Sequence, residues 1–404
     1  MRNNEQTQSI EPNYGSDDVR YRMDGRQSNN GARGNAKHEK QKLEIISGAG
    51  LTRGMSEEKK QGLTFKVAGA SWLNYSSTRR RNPIRENTRR IYGHCLTRWI
   101  YPVVGELPLG ELKSIQAKKV VDRLVEHRAS ASVVTNVIML MQRVIESVKD
   151  ADGQPVYAWK LDRDVMDAPV VKAKETKAFT SDEITEIIER ASGQYRVLFA
   201  LLAATGLRIG EALAVEIGAD KATTTTVSSD CRVLYVRTQL LQDGQKQDVP
   251  KTAAGIREVD IHNDVAAMLV ELIGNRTHGF LFRTERMTPL LQSNLRKNVL
   301  DPILVGRERK KMVRDGMKWK QVGTETIPGV IGEKRGFHAF RRFRATHLAV
   351  SGTPEVFQKY WLGHRAKTIT ELYQKAKQES AKRKEWCEKA ELGFALPGIS
   401  KPLP

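Results

Sequence analysis

The sequence predicts a mainly α protein with a small antiparallel β-sheet, built as a helical domain followed by a mixed α+β domain. Three observations carry this. Apolar residues recur at three- and four-residue spacing through residues 63–150. Period-two alternation then appears in "CRVLYVRTQL" and "KQDVPKTAAGIREVDI". Helical spacing returns in "FHAFRRFRATHLAVSGTPEVFQKYWLGHRAKTITELY", residues 337–373.

Residues 1–62 are rich in Asn, Gly, Ser, Gln and charge, and hold too few large apolar residues to offset the entropy of folding, so a disordered polar tail is expected. Residues 63–150 carry four amphipathic segments joined by short breaks, with 15 Lys+Arg against 7 Asp+Glu. Seven arginines fall between Arg79 and Arg98, near Tyr92 and Trp99. Such a run is commonly a solvated helix face; as a DNA contact, Arg79, Arg80, Arg81, Arg85, Arg89 and Arg90 would lie along phosphates.

A polar linker, 151–178, leads into the second domain, 179–385. "TSDEITEIIERA" opens with a capping signal at Thr180 or Ser181. "YRVLFALLAAT" reads as a buried helix broken at Gly206, which puts Arg208 at a helix–helix junction. The two β-rich runs follow, and alternation on either side of Thr-Ala-Ala-Gly suggests a hairpin with Lys251 at its tip. "AAMLVELI" returns to helix, while 301–336 lacks clear periodicity and reads as a basic, partly flexible insertion.

In the stretch 337–373, Phe340, Phe343, His347 and Val350 form the expected buried face, and His338 and Arg341 share another. Ser351-Gly352 ends this helix. Thr353-Pro354 starts the next as cap and first-turn proline, and Gly363 closes it, leaving His364 at a helix C-terminus. Thr368 and Glu371 have capping-box spacing, so Tyr373 falls in the first turns of a last helix. The tail, 386–404, carries Trp386, Leu392, Phe394 and Leu396 with little chain around them, and a groove of a neighbouring protomer is the expected dock.

Composition narrows the partner. The 404 residues hold 67 Lys+Arg against 47 Asp+Glu, a formal net charge of +20, so a polyanion is expected, and nucleic acid is the commonest one. Three scattered cysteines, Cys95, Cys231 and Cys387, exclude a disulfide framework or zinc ribbon and suit a reducing cytosol. The first residues, "MRNNEQTQSIEPNYG", hold no apolar stretch and no run of about 18 apolar residues occurs, so neither a signal peptide nor a membrane span is expected.

These residues resemble the tyrosine recombinases, or phage integrases. "TGLRIGEAL" is similar to the family's first arginine box, which implies Arg208 as a catalytic arginine and Glu211 as the residue orienting it. "VPKTAAGIREVDI" is similar to the hairpin whose lysine acts in catalysis, implying Lys251. "HAFRRFRATHL" is similar to the His-x-x-Arg box, implying His338 and Arg341; "LGH" implies His364; Tyr373 follows nine residues later, 373 − 364. Position 342 is Arg where many members have His. The likeness spans roughly 63–385, weaker over the first domain, and reaches neither the tail 1–62 nor the insertion 301–336.

The resemblance implies a site-specific recombinase that integrates or excises a phage or other mobile element through a 3′-phosphotyrosyl intermediate. Its partners would be a specific double-stranded attachment site, three further copies forming a homo-tetramer on DNA, and an accessory DNA-bending protein; no cofactor or metal is implied. The expected setting is cytoplasmic, at the nucleoid. The chemistry is consistent: preorganised cations stabilise the charge that builds on a phosphodiester under attack, and a tyrosine with pKa ~10 needs a base and a cationic field. Each residue alone has a bland reading as cap, core or surface side chain; order and spacing across all six carry the assignment. A type IB topoisomerase-like relaxase and a catalytically inactive DNA-binding relative are the alternatives. His347, Trp361, Arg342 and Arg344 are read as structural or DNA-backbone residues.

Overall fold

The computed structural model describes residues 62–150, 152–157, 162, 164–170, 176–248, 255–315, 318–364 and 376–397. The expected tail 1–62 lies outside the described residues except for Gly62. The chain divides into two compact units, Met1–Lys174 and Glu175–Pro404.

Among the described residues the regular structure of the first unit is helical: α1 (Phe65–Thr78), α2 (Glu86–Cys95), α3 (Tyr101–Val104), α4 (Ser114–Glu126) and α5 (Ala131–Glu146). Helix α2 runs through a π-turn, Leu96–Ile100, directly into α3. Proline explains the widened turn. Pro102 has no N–H to close an α-helical bond and its ring crowds the carbonyl four residues back. The ladder steps instead from the Tyr101 N–H to the Leu96 carbonyl. The same device recurs in the second unit, where the π-turn Arg296–Leu300 precedes Asp301-Pro302 and the Asp301 N–H reaches the Arg296 carbonyl.

Helix α5 buries Val134, Val137, Ile138, Leu140, Met141, Val144 and Ile145. They pack with Val120, Val121 and Leu124 of α4 and Phe65, Ala68 and Trp72 of α1. Four residues of the expected linker join this core: Met166 is fully buried, and Val156, Tyr157 and Ala168 pack against it. The linker is therefore not wholly free-running chain, because its few apolar side chains have a core to enter.

The second unit starts with α6 (Ser181–Arg190), whose capping box is formed: the Glu183 N–H donates to the Thr180 hydroxyl at 3.2 Å and the Thr180 N–H to the Glu183 carboxylate at 2.8 Å. Helix α7 (Gly193–Thr205) is buried continuously from Val197 to Thr205 and forms the centre of the unit. It packs against α6, α8 (Ile209–Leu213), α9 (Asn263–Ile273) and α12 (His338–Val350). Phe340 of α12 stacks on Phe199 of α7 at 5.6 Å.

The strands make small antiparallel sheets: β1 (Glu216–Ile217) with β7 (Gly279–Phe280); β2 (Thr226–Val227), β3 (Val233–Val236) and β6 (Arg257–Asp260) in that order; and β4 (Thr238–Leu240) with β5 (Lys246–Asp248). The expected hairpin across Lys251 is not formed by neighbours in sequence. β5 pairs with β4, Thr238 opposite Asp248, and β6 pairs with β3, Val233 opposite Asp260. The tight turn lies at Asp243-Gly244, where Gly244 takes φ +83° and the Asp243 carboxylate accepts from the Gln245 N–H at 3.1 Å. An Asp-Gly pair between alternating runs is the stronger hairpin signal.

The region expected to be a flexible insertion, 301–336, is largely ordered. After α10 (Gln292–Leu295) and the second π-turn come α11 (Asp301–Val305) and a two-stranded ribbon, β8 (Gly306–Asp315) and β9 (Lys318–Pro328). Its described side chains from Arg307 to Lys310 and from Gln321 to Thr326 are all exposed, so they offer no contrast for periodicity to read.

In α12, Phe340 and Phe343 are buried as expected, whereas Val350 is 82% exposed and Leu348 takes its place. Helix α13 (Glu355–Leu362) is capped by Pro354, not Thr353, and ends at Gly363 with φ 62°. Thr353 is buried.

The tail departs from expectation. Helix α14 (Ser380–Lys389) and residues 390–397 pack on their own protomer. Leu392 is buried in the core of the unit, Phe394 meets Phe343 edge-on at 6.0 Å, and Arg196 donates to the Pro397 carbonyl at 2.8 Å. The apolar residues find their own core, so neighbour docking of 386–397 is not what the structure shows. Among the described residues no helix is long and apolar enough to cross a membrane.

Candidate functional site

Helix α7 stops because Gly206 turns left-handed, φ 65°, where a Cβ would also lie 2.8 Å from Leu362 Cδ2. Two residues later Arg208 caps α8. Its backbone N–H donates to Glu211 Oε2 at 3.0 Å and its guanidinium to Oε1 at 2.9 Å. The Arg208 side chain stays 43% exposed while that of Glu211 is fully buried.

A buried carboxylate needs a partner in the interior. Arg257, at the start of β6 and itself fully buried, supplies it, with Nη2 2.8 Å from Oε2 and Nη1 3.2 Å from Oε1. Burial alone would raise the Glu211 pKa; Arg257, through charge and hydrogen bonds, and Arg208 together hold it at about 2. The same Arg257 donates through Nε to the Trp361 carbonyl at 2.7 Å.

Arg341, from α12, is also buried. Its Nη1 donates to the Gly206 carbonyl at 2.9 Å and its Nη2 to the Leu362 carbonyl. It thus clamps the end of α7 to the end of α13. Gly363 then turns left-handed and the His364 N–H returns to the Lys359 carbonyl at 3.1 Å, fixing the backbone that carries His364. His338 opens α12 and is exposed, as is His364.

Four expected residues are therefore brought together: Arg208, His338, Arg341 and His364 lie within electrostatic reach of one another. Burial and then Arg341, Arg342 and Arg208 lower the His338 pKa; burial and then Arg341, Arg208 and Arg257 lower that of His364. Burial and Arg208 bring Arg341 down to about 10. Cations that depress one another form a site whose charge an anion would relieve. Lys251 and Tyr373 lie outside the described residues.

The two arginines, Arg208 and Arg341, are not equivalent. Arg208 is exposed, whereas Arg341 spends two of its N–H donors on backbone carbonyls and keeps the remainder. Arg344, His347 and Trp361, read as structural or DNA-backbone residues, bond within the unit. Arg344 donates to the Glu391 carbonyl at 2.7 Å, His347 meets the Ala390 carbonyl at 2.7 Å, and Trp361 Nε1 donates to Asp260 at 2.7 Å. Arg342 reaches the Lys177 carbonyl at 3.2 Å.

In the first unit, Arg80, Arg81, Arg89 and Arg90 are exposed, and Arg79 and Arg85 partly so. Arg89 is paired with Glu86 at 2.8 Å and Arg79 donates to the Asn82 carbonyl at 2.9 Å. The aromatics expected beside them serve the core: Trp99 is buried and Tyr92 packs on Trp72 at 5.6 Å.

Sequence reasoning missed Arg257, and a signal existed. In "GIREVDI" Arg257 shares strand parity with Val259 and Ile261, and an arginine on the buried parity of a strand demands a buried acid. It also missed Arg383 of α14. Fully buried, Arg383 pairs with Asp260 and Glu258 of β6 at 2.8 Å each and donates to the Ala376 and Lys377 carbonyls.

A family model described as the phage integrase family matches residues 177–380. Among solved structures, the Tn1549 transposon integrase in complex with transposon right end DNA is similar at 18% identity and TM-score 0.53, covering 75% of this chain and 92% of that one. The same integrase with a circular intermediate DNA gives 17% and 0.52 over the same shares. A lambda integrase dimer bound to a COC′ core site gives 17% and 0.44, over 77% and 96%. The Tn1549 likeness shows a shared fold. No curated protein matches the chain.

Proposed function

Because the chain belongs to the phage integrase family of tyrosine recombinases, we propose that it cleaves and rejoins duplex DNA at specific sites, through a 3′-phosphotyrosyl intermediate, to integrate or excise a mobile element. The observation that carries this is the cluster of Arg208, His338, Arg341 and His364 over the buried Glu211–Arg257 pair, where Arg208, Arg257 and Arg341 meet, among the described residues, the single carboxylate of Glu211.

In this reading the scissile phosphate sits against exposed Arg208, held in direction by Glu211. Arg341 adds charge from beneath with its uncommitted N–H groups. The Tyr373 oxygen attacks phosphorus, forming the phosphotyrosyl bond as the bond to the 5′ oxygen breaks. His338, neutral because its proton affinity is lowered, takes the tyrosine proton. Lys251 gives a proton to the 5′ oxygen, and His364 donates to the phosphoryl group. The ester energy is retained, so a second 5′ hydroxyl reverses the step without ATP. Exchange of four strands calls for four protomers on two duplexes, with the exposed arginines of the first unit on the DNA backbone.

The test is Tyr373→Phe on a nicked suicide substrate bearing the attachment site. Binding should persist within a few-fold while the covalent adduct disappears; an undiminished adduct would refute the assignment.

A further inference from the structure

The longest strands of the protein stand apart from its core. Among the described residues β8 and β9 pair with each other alone, from Gly306↔Pro328 to Asp315↔Lys318. Arg307 to Lys310 and Gln321 to Thr326 are exposed throughout. At about 3.4 Å per residue, ten paired positions make an arm roughly 30 Å long. A two-stranded ribbon alone in water is marginally stable and leaves open edges.

The base of the arm is firmly set. The Val330 and Ile331 N–H groups donate to the Ile303 and Leu304 carbonyls, each at 3.0 Å, and Arg190 donates to the Pro328 carbonyl. Gly306 takes φ +94°, and a Cβ there would lie 2.5 Å from the Ile327 oxygen; at Gly329 it would lie 2.3 Å from the Leu304 oxygen. Side chains are excluded at both hinge points, so the direction of the arm is built in.

Its charge is one-sided. The segment 306–328 holds seven Lys+Arg, at 307, 309, 310, 311, 314, 318 and 320, against acids at 308, 315 and 325. Among the described residues, Arg307, Arg309 and Lys310 have neither an ion pair nor a hydrogen bond from their side chains, although Glu325 is the register partner of Arg309. A ribbon that only decorated a surface would gain from neutralising these cations across the strands.

We propose that the β8–β9 arm is a DNA-gripping element that lies against the duplex and contacts its phosphates through Arg307, Arg309 and Lys310. The duplex major groove is wide enough for a two-stranded ribbon, and phosphate contacts fix register without reading sequence. The arm re-enters the core at Pro328, ten residues before His338, so its grip bears directly on the helix that carries His338 and Arg341. This inference rests on the DNA-recombining function proposed above.

Two measurements on the full chain test it. Arg307→Ala, Arg309→Ala and Lys310→Ala combined should lower the log–log salt slope of binding to a random-sequence duplex of about 40 base pairs by roughly 1 to 3, near 0.9 for each phosphate no longer neutralised. Thr324→Cys, labelled with a photo-crosslinker, should yield a covalent adduct with that duplex; the natural cysteines Cys95, Cys231 and Cys387 are buried, which makes the label selective. An unchanged slope, or a crosslink joining two protein chains in place of DNA, overturns the proposal and makes the arm a protein contact. A parent chain that binds no duplex at all overturns the recombinase reading itself, and the arm with it.

Discussion

Arg257→Ala removes the partner that keeps Glu211 ionised in the interior. Glu211 then retains only Arg208, whose guanidinium is 43% exposed and screened by solvent. Two routes give the magnitude. Lowering the Glu211 pKa from its ordinary 4.5 to about 2 corresponds to roughly 3 kcal/mol at 1.36 kcal/mol per unit. Breaking a buried pair by truncating one partner costs about 3–5 kcal/mol. In a domain of this size that lowers Tm by roughly 6–20 °C.

The pH dependence separates this cause from simple loss of packing. In the parent, the Glu211 contribution is complete above pH 4.5 and is lost as pH falls toward 2. In the variant, burial acts with little opposition, so Glu211 binds a proton more readily folded than unfolded, and falling pH stabilises the variant. Thermal unfolding of parent and variant should therefore show a gap that is large at pH 8 and narrows at pH 5. Arg257→Lys should fall between them, since one ammonium cannot serve both carboxylate oxygens and the Trp361 carbonyl. A loss under about 1 kcal/mol, or a gap equal at both pH values, would refute the reasoning.

Other consequences are equally direct. Arg208→Ala should slow single-turnover cleavage by on the order of 10²–10³ while changing affinity only a few-fold, whereas Arg80→Ala with Arg81→Ala should weaken binding and flatten its salt dependence without altering the rate; gel-shift and cleavage assays on one substrate compare them. His338 titrates below its ordinary 6.5, so cleavage should hold through neutral pH and decline only on the acid side of that value, and a decline beginning above 6.5 would remove His338 as the base. Folding stability should fall in the same direction, because the unfolded chain binds protons at His338 and His364 more readily than the folded unit. Truncation after Ala390 removes Leu392, Phe394 and the carbonyls that accept from Arg344, and should cost about 3 kcal/mol or more by urea unfolding; unchanged stability with failed assembly on DNA would return the tail to a neighbour.

What could be read from sequence was what is written locally. The Thr180 capping box, the break at Gly206, the cap position of Arg208 and the turn at Gly363 each depend on a few consecutive residues whose φ, ψ or cap chemistry leaves little choice. Strand partners were not written locally. Alternation around Arg257 specifies faces, and β6 found β3 over a sequence gap that no turn signal spans. The β8–β9 arm was invisible because its described side chains, Arg307 to Lys310 and Gln321 to Thr326, are exposed without alternation, which erases the contrast that periodicity reads. For Trp386, Leu392 and Phe394, the need for burial was evident and the destination was not. Arg257 and Arg383 show the same limit from the polar side: an acid partner is demanded, but only the fold says that Glu211 and Asp260 provide it.

β6 is four residues long, yet Arg257 joins it to Glu211 and Trp361, and Glu258 and Asp260 join it to Arg383. The separations along the chain are 46, 104, 123 and 125 residues. Closing loops of that length is slow and comes late in folding. During synthesis the chain emerges N-terminal first, so Arg208 and Glu211 leave the ribosome well before Arg341, Trp361 or Arg383 exist to lock them. A growing or interrupted chain that ends before α14 leaves Asp260 without the arginine that neutralises it and β6 held from one side alone. The cluster of Arg208, His338, Arg341 and His364 is thereby completed only after residues 338–364 have been made, long after Arg208 and Glu211.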